Sequence, residues 1–228
     1  SKSEHRGVFM DDALTDFPAD YWRYWILANS PESDDSIFSF ESFTSVINKD
    51  LNDVLGNFVN RVLKMTQKDW GTVVPEKKAD TEVETELYAT LDKLIAQYTA
   101  HMDAIEIRKA LADLREIWTT GNNYIAQCEP WKVVKVDKAR AGTILANALN
   151  MIYLFGQLSV PVMPAKAKEM LNIFDEKAEF VWPKVSAKEL LNTLKAGQNF
   201  VPCAPLFQKI LPEQKEALKV KYGEVKNG

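Results

Sequence analysis

FESFTSVINKDLNDVLGNFVNRVLKMTQKD, residues 40–69, is the stretch from which the rest of the chain is read. Phe40, Phe43, Ile47, Leu51, Val54, Leu55, Phe58 and Val62 recur at three- and four-residue steps. That spacing predicts one amphipathic helix of about eight turns, roughly 45 Å long at about 1.5 Å per residue. Asn57 and Arg61 fall off the apolar stripe one turn apart, so their side chains project side by side. An amide beside a guanidinium fork suits the edge of a base or a phosphate. The same pair also reads as ordinary solvated helix surface.

Toward the C-terminus the helical period continues. Residues 80–102 put Val83, Leu87, Leu91, Leu94, Ile95 and Tyr98 on one face, and residues 104–127 do the same with Ile107, Leu111, Leu114, Trp118 and Ile125. Gly121-Asn122-Asn123 is poor helix sequence and marks either a kink or a packed crossing. Residues 138–158 are apolar almost all round, which predicts the buried member of the group. Prolines 161 and 164 interrupt, and 165–174 resume as a short helix. Four long helices on short loops predict an all-α, antiparallel helix bundle.

The flanks are less regular. Residues 10–36 read as a connector whose helix, DYWRYWILAN, starts with Asp16 as cap and Pro18 in the first turn. It is too aromatic for one narrow stripe, so it is expected to be clamped on more than one side. Near the end, Ser186-Ala187-Lys188-Glu189 is a capping box, 200–207 an extended apolar segment, and 212–222 a charged helix. The expected division is 1–36 connector, 37–160 bundle, and 161–228 helices packed back on the bundle.

Composition narrows the function classes. The chain has 228 residues, 46% hydrophobic, with 9 Gly and 10 Pro, enough to bury a core without staples. A net charge of −4 argues against binding nucleic acid through overall charge and leaves a local basic surface open. Cys128 and Cys203 are far apart and there are only two histidines, His5 and His101, so neither a metal site nor a disulfide framework is expected. No signal peptide or membrane span is expected, which reads as a cytoplasmic chain. Ser1-Lys2-Ser3-Glu4-His5-Arg6, directly before a short strand candidate at 7–9, reads as a chain cut inside a loop or as a tag remnant.

A second unusual patch is CEPWKVVKVDKAR, residues 128–140. Trp131 follows a rigid proline, Pro130, and Lys132, Lys135, Lys138 and Arg140 come within nine residues of it. An aromatic plate beside cations is what a single-stranded base and its phosphate require; stacking contributes about 1–3 kcal/mol per base. Half-buried packing of the indole is the plainer alternative.

Asn57-x-x-x-Arg61 on a long helix, followed by Glu129-Pro130-Trp131-Lys132, resembles the anticodon-binding bundle of the methionyl-tRNA synthetase family. The resemblance extends through Phe17, Ala19, Asp20, Arg23 and Tyr24, then Asp34-Asp35, Phe43, Asn48 and Asp50, all in the family's order. Ser1-Lys2-Ser3 looks like the end of the family's Lys-Met-Ser-Lys-Ser loop, and 7–9 like the strand after it. Residues 1 to about 160 are covered well and the tail loosely. The resemblance implies a class I synthetase anticodon-binding fold in which Trp131 stacks on the first anticodon base, a cytosine. Asn57 and Arg61 would read that base's edges, and Pro130 would shape the platform. Lys2 would match the loop lysine that steadies ATP phosphates.

Departures from the family are as informative. The nucleotide-binding Rossmann domain, its His-Ile-Gly-His-type signature and any methionine pocket are not in these residues. Catalysis and ATP therefore belong to a full enzyme with an N-terminal catalytic domain, and this chain alone is expected to be silent and to bind no cofactor. The expected partners are a methionine-specific tRNA and that missing domain. Two other readings stay open: the equivalent domain of another class I aliphatic synthetase, and a helical scaffold without an RNA role.

Overall fold

The structure, a computed structural model, describes residues 8, 10–30 and 38–224. Lys2 and its neighbours, Gly7 and Phe9 of the strand candidate, and Asp34-Asp35 lie outside the described residues. Two short helices come first, α1 (Met10–Asp16) and α2 (Ala19–Ala28). This corrects the expected helix start: Asp16 closes α1, and its carboxylate accepts from the Lys221 ammonium at 2.7 Å and from the Tyr222 hydroxyl. Pro18 takes the cap position of α2, where its missing N–H has no consequence and its fixed φ leads into the first turn. Tyr21, Trp22, Tyr24 and Trp25 are all buried, so the connector helix is clamped on several sides.

Residues 40–70 do form one long rod, but its turns are not uniform. It runs as α3 (Phe40–Val46), a π-helical segment (Ile47–Gly56) and α4 (Asn57–Trp70). Four-residue steps drift by about 40° around an α-helix. The wider π turn, with the Asn57 N–H reaching back to the Asn52 carbonyl, absorbs that drift and keeps Ile47, Leu51 and Leu55 fully buried in a row.

The hairpin α5 (Glu82–Asp103) and α6 (Ile107–Cys128) follows, joined across residues 104–106. A capping box between Thr81 and Glu84 opens α5. The Gly121-Asn122-Asn123 run does not break α6; it is a packed crossing. A Cβ on Gly121 would meet the Phe58 ring at 2.9 Å, so only glycine lets α4 lie this close. Asn122 then donates across the gap to the Val54 carbonyl at 3.0 Å.

After the single turn α7 (Pro130–Val133), helix α8 (Lys138–Ser159) threads the middle of the molecule, buried along almost its whole length. It packs on α4, on α6 and on α9 (Pro164–Asn172). The tail adds α10 (Ala187–Leu190), set against α5, and α11 (Pro212–Lys221), set against α3. Among the described residues there is no strand, only an isolated bridge between Val73 and Asn199.

Several connector residues of the resemblance turn out to be cross-braces. Tyr24 Oη donates to Asp50 Oδ2 at 3.2 Å, and Arg115 Nε holds Asp50 Oδ1 at 2.6 Å. Arg23 donates to the carbonyls of Pro161 and Val162, in the turn between α8 and α9, while Asp20 accepts the Lys166 N–H at the start of α9. Asn48 pairs through both side-chain atoms with the backbone of Ile210. The tail is thereby fixed to the central rod, with Phe207 seated against Gly56.

Candidate nucleic-acid interface

The ledge is made by α4 and by the turn between α6 and α8. α6 ends because Glu129 adopts the left-handed region, φ 44 and ψ 55, an uncommon conformation for a residue with a side chain. Glu129 at once starts α7, its carbonyl accepting from the N–H groups of Lys132 and Val133. Pro130 occupies the first position of that turn and is buried. The turn directs Trp131 outward: its indole is 38% exposed, whereas Trp118 on the adjacent helix is fully buried.

Arg61 comes from the facing helix and brings its guanidinium carbon 5.7 Å from the centroid of the Trp131 ring. Arg61, Lys64, Met65 and Trp131 line an open concavity of about 340 Å³. A neighbouring, smaller concavity of about 100 Å³ is bordered by Pro130, Trp131, Val134, Lys68 and Trp70. The structure thus unites Arg61, Pro130 and Trp131. Asn57 is exposed one helical turn before Arg61 and does not line either concavity. Its amide has no hydrogen bond among the described residues.

The basic patch that follows Trp131 divides in two. Arg140 does not face solvent beside the indole, which corrects its expected place among the cations. Nη1 and Nη2 of Arg140 grip Glu84 at 2.9 and 2.8 Å, and Tyr124 Oη donates to the same carboxylate at 2.6 Å. Thr81 adds its N–H and hydroxyl, at 2.8 and 2.7 Å. Burial alone would raise the Glu84 carboxyl, but the donors from Arg140, Tyr124 and Thr81 outweigh it and bring the pKa down to about 2. Burial, reinforced by the Glu84 charge, pushes the Tyr124 hydroxyl up. Burial also pushes the Cys128 thiol up to about 11, so it is no nucleophile at neutral pH.

The lysines stay outside. Lys132 pairs with Glu129 at 2.7 Å, Lys138 lies 5.3 Å over the Trp70 ring, and Lys135 is exposed. Sequence reading overlooked Lys64 and Lys68. Both are exposed, three and seven residues past Arg61, a spacing that sets all three on one helix face. The signal is present in the sequence as Arg61, Lys64 and Lys68 on the polar side of residues 40–69. Among the described residues no group of side chains fits a metal ion, and no helix is long and apolar enough to cross a membrane.

Residues 74–227 match the family model for the anticodon binding domain of methionyl tRNA ligase. Residues 1–63 match the one for class I tRNA synthetases of the methionine type. The methionine–tRNA ligase of Jannaschia sp. is 44% identical over 227 residues, 100% of this chain and 39% of that protein. That of Streptomyces avermitilis is 42% identical over 224 residues, 98% of this chain and 39% of that protein. The apo crystal structure of Mycobacterium tuberculosis methionyl-tRNA synthetase superposes with a TM-score of 0.78 at 26% identity, covering 91% of this chain and 42% of that one. The same protein with methionyl-adenylate gives a TM-score of 0.77, covering 88% and 39%. The chain therefore spans about two-fifths of the length of the curated relatives it matches.

Proposed function

The chain belongs to the methionyl-tRNA ligase family, and on that premise we propose that its ledge of Asn57, Arg61, Pro130 and Trp131 grips the anticodon of a methionine-specific tRNA. The observation that supports this reading best is the meeting of Arg61 and Trp131, distant in sequence and from different helices, at an open concavity. RNA is read in sequence-specific fashion mostly at splayed, single-stranded loop bases. An exposed indole offers such a base a stacking plate at about 1–3 kcal/mol. The guanidinium fork and the unengaged Asn57 amide offer donors and an acceptor for the edge of a cytosine. A wrong base would leave one of these groups unpaired once water is excluded, at a cost of about 1–3 kcal/mol.

Lys64, Lys68 and Lys135 supply a local positive surface on a chain whose net charge is −4, which favours the phosphates next to the gripped base. The indole's exposure counts against a scaffold in which Trp131 is merely core. The whole enzyme would join methionine to tRNA with ATP in the cytoplasm. ATP and methionine would bind the catalytic portion, to which Lys2 would contribute as a loop residue, and the present chain alone would carry out no adenylation.

Filter binding tests the reading. Methionine-specific tRNA should be retained better than the same tRNA with its first anticodon base changed from cytosine to uracil. Equal retention of the two would remove the proposal.

A further inference from the structure

We infer that Glu84, which is buried away from the ledge, is a positioning residue for base reading: it clamps both stems of the turn that presents Trp131. The inference rests on the reading given under Proposed function. The turn leaves α6 after Cys128 and enters α8 at Lys138. Tyr124 sits near the C-terminal end of α6 and Arg140 in the first turn of α8. Both end on the Glu84 carboxylate, Tyr124 on Oε1 at 2.6 Å and Arg140 on both oxygens at 2.8 and 2.9 Å. Glu84 in turn belongs to the first turn of α5 and is tied to its own capping residue, Thr81. Asn147 of α8 closes the ring by donating to the Tyr124 hydroxyl at 3.3 Å. One carboxylate therefore fixes the separation and twist of two helix ends, and the strained Glu129 and the indole are carried between them.

The choice of a charged clamp is informative. Replacing a buried ion pair by apolar side chains of similar size is often neutral or stabilising, so stability alone gives weak reason to keep one. What the pair adds is direction. A bidentate guanidinium meets a carboxylate in one plane and at one distance, whereas methyl groups tolerate sliding. Backbone hydrogen bonds donated by the N–H groups of residues 132–137 hold the turn together internally. But α7 is four residues long and its side chains beyond Pro130 are half-buried or exposed, so they do little to fix its placement against α6 and α8. Trp131 must stand at a fixed angle to Arg61, which comes from α4, for plate and reader to act on one base. A loosened turn would keep an indole for stacking yet blur the edge contacts.

The test uses the 228-residue chain and two stem-loop RNAs that differ only in the loop, CAU against UAU. Glu84→Gln removes the charge and keeps the shape, and Tyr124→Phe removes one donor more gently. Met170→Ala, a buried change on α9 toward the opposite end of α8, serves as the control for destabilisation. Each protein is assayed at a temperature where circular dichroism shows it folded. Glu84→Gln should lose about tenfold in its preference for the CAU loop while still binding both RNAs, and Tyr124→Phe should lose less. Met170→Ala should keep the wild-type preference. Full preference in folded Glu84→Gln, or equal loss in Met170→Ala, would overturn the clamp alone. A wild-type chain that holds the two RNAs equally would overturn the reading of the ledge and the clamp with it.

Discussion

Arg61, which meets Trp131 from a distant helix, and Arg140, which follows it closely in sequence, end differently: one faces outward and the other is turned inward. Arg140 finds Glu84, a carboxylate with no exposed surface, and spends its fork on it. Among the described residues Arg61 meets the face of an indole and has no hydrogen-bond or ion-pair partner for its donors. The pair teaches that a cation's role is set by what a distant helix places opposite it. The sharpest way to break the contrast is to remove each arginine in turn. Arg140→Ala leaves a buried carboxylate uncompensated and should cost about 3–5 kcal/mol in urea melts. Arg61→Ala should stay within about 0.5 kcal/mol of wild type while weakening RNA retention. Equal stability losses would erase the distinction between inner corner and outer ledge.

Acid offers a second route to the inner corner alone. The Glu84 carboxyl is held near 2 in the folded chain, below its ordinary value of 4.5. A depressed folded pKa contributes stability that is complete above the ordinary value and is lost as pH falls toward the folded one. Between pH 5 and 2, unfolding free energy should therefore drop by about 3 kcal/mol through this residue. Glu84→Gln, less stable at pH 7, should lack that component, so its curve and the wild-type curve converge toward pH 2. Parallel curves across the interval would show that the corner is not the titrating unit.

The ledge and the corner were not equally legible in the sequence. The apolar stripe of residues 40–69 and the all-round apolar character of α8 name the bundle, because period and burial are local properties of a chain. The π segment was not read from the sequence: Ile47, Leu51 and Leu55 repeat at four-residue steps, a stride too short here to announce a wider turn before the segment is seen packed against α6. α1 was missed because seven residues carry too little periodicity, and Asp16, a plausible cap, is used instead to hold Lys221 and Tyr222 from the tail. At the candidate site, residue type and spacing single out Trp131 and Arg61, while their role is implied only by the family resemblance. Arg140 was assigned to the ledge because nothing near it in sequence announces Glu84, which belongs to a different helix pair. Long-range pairing is where a linear reading fails, and it fails at the charged residues first.

Removing the indole probes the ledge without disturbing the corner. Trp131→Ala loses a half-exposed side chain and one cation–π contact, so the thermal midpoint should barely move. Binding to the CAU stem-loop should weaken by about 1–3 kcal/mol, the value of one stacked base. A large fall in melting temperature, read by circular dichroism, would mean that the ring supports the turn from beneath.

The smallest effect separates two uses of charge within the ledge itself. Lys68 lies two turns beyond Arg61, bordering the concavity shared by Trp131 and Trp70; on the proposed reading it would meet a phosphate rather than the edge of the gripped base. A point charge on a flexible stem contributes through counterion release, so Lys68→Ala should flatten the slope of log affinity against log salt by about 0.7. At physiological ionic strength the loss should be under about 1 kcal/mol, because an exposed charge is screened over about 8 Å. It should also be the same for the CAU and UAU loops, since a phosphate does not report which base it bears. Arg61→Ala, by contrast, should narrow the difference between them. Were Lys68→Ala to change that difference, reading would extend along α4 beyond Arg61, and the boundary between base reader and phosphate track would have to move with it.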